Sequence, residues 1–247
     1  MKNVLIIGYG VVGTNLSKEI SVLNPDIVDK YKPELTTKEI GKHYDIAFIC
    51  VDTPYVRKGN SCDTKEVLNC IMENPADIYV IKSTCPVGTV DSLTQRGIRV
   101  VFSPEYYGGT QHCNNYDYNF TIIGGEKSVC CEVVQLLQDV YDASHKFYIT
   151  EAKTAELCKY MENCFLATKV SFCNEFYDAA KECGVSYEEL RELFVLDPRV
   201  NPAHTFVYAE HPYWQSHCLD KDTRAFAEQF SNLTFMQSVI SYNEKRK

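Results

Sequence analysis

Short apolar runs separated by longer amphipathic stretches organise the first 150 residues. Residues 3–7, Ile27-Val28, 46–51, 78–81, 100–102 and 120–123 are rich in Val, Ile and Phe with little alternation. That is the pattern of strands buried on both faces. The runs end on polar or glycine residues: Gly8, Asp29, Asp52-Thr53-Pro54, Lys82-Ser83-Thr84, Ser103-Pro104-Glu105 and Gly124-Gly125. The stretch after Gly13 has a helical period to about Leu23. Strands alternating with helices predict an α/β fold, a Rossmann-type doubly wound parallel sheet with helices on both faces. In such sheets ligands collect at the carboxyl ends of the strands, where the polar residues above lie.

The pattern changes near Thr150. Residues 151 to about 183 form one long helical pattern without proline, and 187–194 a second. Residues 197–218 hold three prolines and read as irregular; 222 to about 243 is helical again. The reading is a dinucleotide-binding domain over 1–150 and a helical central domain over 151–247.

The chain has 247 residues, and its net charge of -8 argues against a nucleic-acid partner, which needs a basic surface. The apolar start, Val4 to Ile7, is too short to span a membrane and runs straight into a glycine loop. Twelve cysteines are scattered with no C-x-x-C pair, so no metal site is expected. Several sit in apolar runs, as Cys50 does, where a thiol acts as a small hydrophobe. Such free thiols fit a reducing, cytoplasmic setting.

The loop Gly8-Tyr9-Gly10-Val11-Val12-Gly13 lies between a strand and a helix, where G-x-G-x-x-G binds a dinucleotide. The first glycine makes the turn, the second admits the pyrophosphate, and the third lets helix pack on strand. Asp29 closes the second strand about twenty residues on, where a carboxylate accepts both ribose hydroxyls and favours NAD over NADP. Lys159 and Asn163, at i and i+4, share a helix face. Facing a cleft they would stabilise an oxyanion; facing water they are a solvated surface. Glu105 at a strand end is either a general base or a solvated edge. Thr84 reads equally as a hydrogen-bond donor to ribose or water and as turn chemistry before Pro86.

Cys218 sits in the polar run Ser216-His217-Cys218-Leu219-Asp220-Lys221-Asp222-Thr223. It is either one more buried thiol or a nucleophile whose pKa Lys221 lowers. A thiol beside a nicotinamide site points to oxidation of an alcohol past the aldehyde, through a thioester, to an acid.

In order along the chain these segments resemble the UDP-glucose/GDP-mannose dehydrogenase family. Gly8–Gly13 is similar to its glycine loop, and Val51-Asp52-Thr53-Pro54 to its V-x-T-P. Lys82-Ser83-Thr84-Cys85-Pro86-Val87-Gly88-Thr89 resembles K-S-T-V-P-V-G-T, and Ser103-Pro104-Glu105-Tyr106 resembles S-P-E-F. Glu156-Leu157-Cys158-Lys159-Tyr160-Met161-Glu162-Asn163 to Ser171-Phe172-Cys173-Asn174-Glu175 is similar to the central helix. Asp197-Pro198-Arg199-Val200 is similar to D-x-R-I, and Cys218–Thr223 to C-x-P-K-D-T.

The resemblance implies an NAD-dependent dehydrogenase that converts a UDP-sugar, UDP-glucose first among them, to its uronic acid in two oxidations. Cys218 would be the nucleophile. Lys159 and Asn163 would hold the oxyanion and the substrate, and Thr84 and Asp222 the hydrolytic water. Glu105 would serve acid/base steps. Tyr9, Val11, Val12, Val51, Thr53, Pro54, Ser83 and Lys221 would join the cofactor contacts. Glu105, Tyr106, Tyr107 and Arg199 would bind the substrate, Arg199 across a dimer contact. A homodimer is expected also because the long helix needs its apolar face covered.

Departures from the family pattern leave two other readings: the same chemistry on a different sugar, or a non-catalytic NAD- or nucleotide-sugar-binding regulatory subunit. After Glu105 the chain continues Tyr106-Tyr107-Gly108-Gly109 in place of F-L-R-E. Before the thiol it has Tyr213-Trp214-Gln215-Ser216-His217 in place of a glycine-rich loop, so Trp214 and His217 are expected to reshape the sugar pocket. Asp220 replaces a proline. The connection from Asp29 to Val51 is short. At residues 243–247 the chain stops where the family's central domain would continue, and the expectation is a form without the second, uridine-binding domain.

Overall fold

The computed structural model describes residues 2–39, 41–56, 62–107 and 118–247. Seven strands form one sheet: β1 (Val4–Ile7), β2 (Asp26–Val28), β3 (Tyr44–Ile49), β4 (Ala76–Ile81), β5 (Val100–Phe102), β6 (Phe120–Gly125) and β7 (Lys146–Thr150). Their order is β2-β1-β3-β4-β5-β6-β7. β1 pairs in parallel with both β2 and β3, so the order reverses beside β1, and Gly8 leaves the sheet at that switch point.

Side chains of alternate strand residues feed two cores. Ile6, Phe48, Val80, Val101 and Ile123 pack with Leu16 of α1 (Val11–Glu19) and with Val129, Val133 and Leu137 of α4 (Lys127–Leu137). Leu5, Ile7, Ala47, Ile49, Ile81 and Phe102 face the other way. They meet Val67 of α2 (Lys65–Glu73), Val90 and Leu93 of α3 (Thr89–Thr94), and Ala152 and Ala155 of α5 (Ala152–Cys183). Burial on both faces is why these strands read as apolar runs rather than alternating ones. α5 therefore begins inside the sheet's core and then runs out as a 32-residue helix. α6 (Tyr187–Phe194), α7 (His217–Gln229) and α8 (Thr234–Glu244) follow it, and a separate apolar cluster forms from Cys164, Ala167, Trp214, Leu219, Met236 and Val239.

Four sequence expectations change. The first helix ends at Glu19, and Ser21–Leu23 is a tighter 3-10 turn ahead of Pro25, which disfavours helical backbone at Asn24. β6 runs antiparallel to β5. A parallel neighbour needs a crossover, usually a helix, and the 103–119 sequence offers glycines and asparagines instead of an amphipathic period. β7 escaped the apolar pattern because it is an edge strand, with Tyr148 and Ile149 exposed. The predicted helix from Asp222 starts five residues earlier, at His217, because the Ser216 hydroxyl caps it by accepting the Leu219 N–H at 3.2 Å. It also breaks after Gln229, so the 222–243 run is two helices.

Among the described residues no helix is long and apolar enough to cross a membrane, and no cluster of three or more His, Cys, Asp or Glu side chains could hold a metal ion.

Candidate active site

The glycine loop is built locally. Gly8 has φ +90°, and its N–H donates to the Val28 carbonyl at 2.9 Å. A Cβ on Gly13 would lie 2.0 Å from the Gly8 carbonyl oxygen, so only glycine lets α1 sit this close to β1. A Cβ on Gly10, by contrast, would meet nothing within 4 Å. Gly10 is the N-cap of α1, so the helix's first N–H groups face open space, as a pyrophosphate requires. Val11 is exposed beside this opening, and Val12 packs partly into the core.

Asp29 is held by the same loop. Its carboxylate accepts from Tyr9 N at 2.5 Å, Tyr31 N at 2.8 Å and Lys32 N at 2.9 Å. Partial burial pushes this carboxyl up, but the three N–H donors and the nearby Lys32 outweigh it and leave it below the usual range. An ionised carboxylate with three donors keeps acceptor capacity for a ribose hydroxyl. The loop and Asp29 thus fit a dinucleotide. The Lys32 ammonium donates to the Tyr9 carbonyl at 2.7 Å and braces the turn.

The second half of the site brings four elements together. The buried Thr53, after β3, donates its hydroxyl to the Thr84 carbonyl at 2.6 Å. Ser83 donates to the Val51 carbonyl at 2.6 Å, and Pro54 accepts from Asp63 N at 2.8 Å. Lys221, on α7, donates to Thr53 Oγ1 at 3.3 Å and to Asp222 Oδ1 at 2.5 Å, and lies 3.8 Å from Cys62 Sγ. The other oxygen of Asp222 accepts from Asn163 Nδ2 of α5 at 2.5 Å. Lys159, one turn before Asn163, pairs with Glu162 at 2.7 Å and lies 5.1 Å from the centre of the Tyr106 ring. Lys159, Asn163 and Asp222 are all buried, so the helix face that spacing left open as a solvated surface is an interior one.

Burial pulls both lysines down, but carboxylates win. Glu162 first, then Glu105 and Asp222, hold Lys159 above its ordinary value, and Asp222 does the same for Lys221. Three of the described cysteines are exposed: Cys131, Cys183 and Cys218. Cys218, in the first turn of α7, is the exposed one whose titration feels Lys159 and Lys221. Its thiol is nevertheless pushed up, first by desolvation and then by Asp222 and Glu105. Lys221 acts downward as expected, and so does Lys159, but both are outweighed, so the thiol is not activated on balance; the Lys221 ammonium is bound to Asp222.

The loop after β5 borders the same cleft. Tyr107 N donates to Glu105 Oε2 at 2.7 Å, and the Tyr107 hydroxyl is bound to Glu19 of α1. Tyr106 stacks on Tyr118 and packs against Phe120; Gly108 and Gly109 lie outside the described residues. Trp214 does not reshape a sugar pocket. It is buried in the helical cluster, and its indole N–H donates to Ser171 Oγ at 2.9 Å. His217 is exposed and reaches Asp52 across the cleft mouth at 3.5 Å. Arg199 is exposed and forks onto Asp197 of its own turn; none of its contacts among the described residues joins it to Cys218, Lys159 or Asp222.

Sequence reading missed several participants. Glu162, three residues after Lys159, was visible from helical spacing. Lys82, inside the K-S-T run, is half-buried and donates to Ser103 Oγ at 3.3 Å, and desolvation lowers its pKa; only the fold shows this partner. A cavity of about 520 Å³ lies beside this group, between Asp63-Thr64-Lys65 and Pro86–Thr89. Its lining includes neither Cys218 nor the glycine loop.

A dinucleotide-type glycine loop on the sheet, with a thiol, two lysines and a buried amide–carboxylate pair on the helical layer, defines a class of nucleotide-binding α/β proteins. Comparison with known proteins narrows it. The NAD binding domain of the UDP-glucose/GDP-mannose dehydrogenase family matches residues 27–145, and the central domain of the same family matches 153–245. The chain belongs to the UDP-glucose/GDP-mannose dehydrogenase family, and NAD is the cofactor of the matched domain. It is 26% identical to the UDP-N-acetyl-D-mannosamine dehydrogenase of Methanocaldococcus jannaschii over 96% of this chain and 60% of that protein. It is 30% identical to the UDP-glucose 6-dehydrogenase of Rickettsia prowazekii over 83% of this chain and 50% of that protein. The chain thus spans about 60% or less of the length of these relatives. A UDP-glucose dehydrogenase structure from Pyrobaculum islandicum superposes with a TM-score of 0.77 at 23% identity, over 99% of this chain and 68% of that one.

Proposed function

We propose that this chain carries out NAD-dependent oxidation of a nucleotide-linked sugar alcohol to the acid through a thioester on Cys218. The observation that carries the reading is the convergence of α5 and α7 on one cleft: Asn163 bound to Asp222, Lys159 beside them, and Lys221 tied to Thr53 and through it to Thr84.

NAD+ would supply the electron acceptor, one molecule for each of the two hydrides removed from the sugar, with NADH exchanged for NAD+ between them. The protein's own groups do the rest. The Cys218 sulfur bonds to the aldehyde carbon, the carbonyl π pair moves to oxygen, and the thiol proton passes to a carboxylate, for which Glu105 is the candidate. Lys159 and Asn163 hold the oxyanion formed. After the second oxidation the adduct is a thioester. Water, positioned by Asp222 and Thr84, bonds to its carbon, the C–S bond breaks, and the sulfur regains a proton.

UDP-glucose is the first substrate to test, with UDP-N-acetyl-mannosamine beside it. The test is NADH formed by the purified protein from a limiting UDP-sugar. Two NADH per sugar with an acid product supports the reading; one NADH with an aldehyde product sinks it. A second reading, NAD binding without catalysis, rests on both lysines being already paired with carboxylates. Bound NAD with no NADH from any UDP- or GDP-sugar would favour it.

The homodimer belongs to the same proposal. Leu157, Met161, Phe165, Phe172 and Phe176 lie exposed along one face of α5. Two copies pairing through this stripe would cover it, and Arg199, outside its own chain's cluster, would reach the sugar across the contact. Sedimentation of the protein as a monomer would refute it.

A further inference from the structure

Gln229 ends α7, the helix whose first turn carries Cys218. Its side-chain amide forms a closed pair with the Val87 peptide: Val87 N donates to Gln229 Oε1 at 3.0 Å, and Gln229 Nε2 donates to the Val87 carbonyl at 2.9 Å. The two residues are 142 apart in sequence. The same turn is gripped from α5. The fully buried Glu156 accepts from Gly88 N at 2.6 Å and from Val90 N at 2.9 Å. Next to Gln229, Glu228 accepts from the Tyr55 hydroxyl at 2.5 Å. The gripped turn continues directly from Thr84.

From this geometry we infer that Gln229 is a positioning residue for the thiol, fixing the far end of α7 to the turn that carries Thr84. The near end is tied separately, by Lys221 to Thr53 and by His217 to Asp52. A helix pinned at both ends sets the separation of Cys218 from the Thr84 wall. Ala225, packed at mid-helix, lies about 10 Å along α7 from Cys218 at 1.5 Å per residue, so a tilt of roughly 5° about it, once the far end is released, moves Cys218 by about 0.9 Å. A misplacement of about 1 Å can cost on the order of 10²-fold in rate. The apolar contacts of α7 bring the turn near but set no direction. Leu219 and Ala227 belong to the cluster of α5 and α8, while Ala225 and Phe226 share a small cluster with Tyr160 and Val87, to which the Gln229 amide pair adds two directional bonds.

The inference rests on the function proposed above, so its test carries a readout that needs no turnover. Cys218 in the native protein is alkylated with iodoacetamide, with and without saturating NAD+, and followed by mass spectrometry. NAD+ affinity is measured by calorimetry and melting temperature by calorimetric scan. In the wild type, NAD+ is expected to slow alkylation of Cys218. In Gln229→Leu, which removes both bonds at similar volume, that protection falls at least about fivefold while NAD+ affinity stays within about twofold. With an active sugar, kcat falls about 10- to 100-fold and KM for NAD+ is little changed. Gln229→Glu keeps the acceptor for Val87 N–H and falls between the two; it also decides the matter if Gln229→Leu does not fold. Wild-type protection in both variants overturns the inference, as does a wild type whose Cys218 ignores NAD+. A drop in melting temperature with unchanged protection and kcat means an ordinary stabilising contact, and overturns it too. Absence of turnover in the wild type would defeat the proposed function and leave the alkylation result to judge Gln229.

Discussion

The two walls of the cleft are assembled in different ways. The cofactor wall is local: Gly8, Tyr9, Gly13 and Asp29 fall within about one strand–helix–strand unit, and the bond between Tyr9 and Asp29 spans 20 residues. The thiol wall is not. Asn163 meets Asp222 across 59 residues, Lys221 meets Thr53 across 168, and Gln229 meets Val87 across 142. The cofactor loop is thus fixed by steric rules that act as soon as β1 and α1 dock. The thiol wall exists only when α5 and α7 have packed on the sheet. A buried polar network of this kind depends on every member being satisfied, because each loss leaves a partner desolvated and unpaired.

The contrast can be broken most strongly at the thiol. Cys218→Ser should abolish acid formation, a loss of at least about 10³-fold, with NAD+ affinity unchanged. Equal acid yield would remove the thioester from the scheme. On the cofactor wall, Gly13→Ala forces a Cβ to within 2.0 Å of the Gly8 carbonyl oxygen. It should cost about 2–3 kcal/mol in urea unfolding and weaken NAD+ binding, while Cys218 alkylation without NAD+ keeps its wild-type rate. A variant with normal NAD+ affinity would mean that the loop relaxes freely.

The smallest effect is the most diagnostic. Asp222 is among the charges that push the Cys218 thiol up, so Asp222→Asn should lower its pKa. The pH midpoint of alkylation, expected above the usual thiol range in the wild type, should then move down. Alkylation at fixed neutral pH should become faster even as thioester hydrolysis slows. An unmoved midpoint would show that Asp222 does not act on this thiol, leaving desolvation and Glu105 to hold it up.

Much of this molecule was legible in its sequence. Doubly buried strands need unbroken apolar runs, so β1, β3, β4 and β5 appeared within a residue or two of their ends. The glycine loop was legible because a backbone collision with no side-chain remedy leaves glycine alone at Gly13. The 32-residue α5 was visible in an uninterrupted helical period closed by Gly184. What the tertiary structure decided concerns partners and direction. β7 lies at an edge, half in water, and carries no burial signal; the antiparallel pairing of β6 with β5 is likewise a matter of direction that an apolar run does not encode. Trp214, expected in the sugar pocket by its position before the thiol, turns into the helical cluster because its indole N–H finds Ser171 there. Lys221 beside Cys218 suggested an activated thiol, yet its charge goes to Asp222, which no spacing rule can reveal. Local sterics and periodicity are written along the chain; which buried charge meets which is settled only when distant helices share one dry interior.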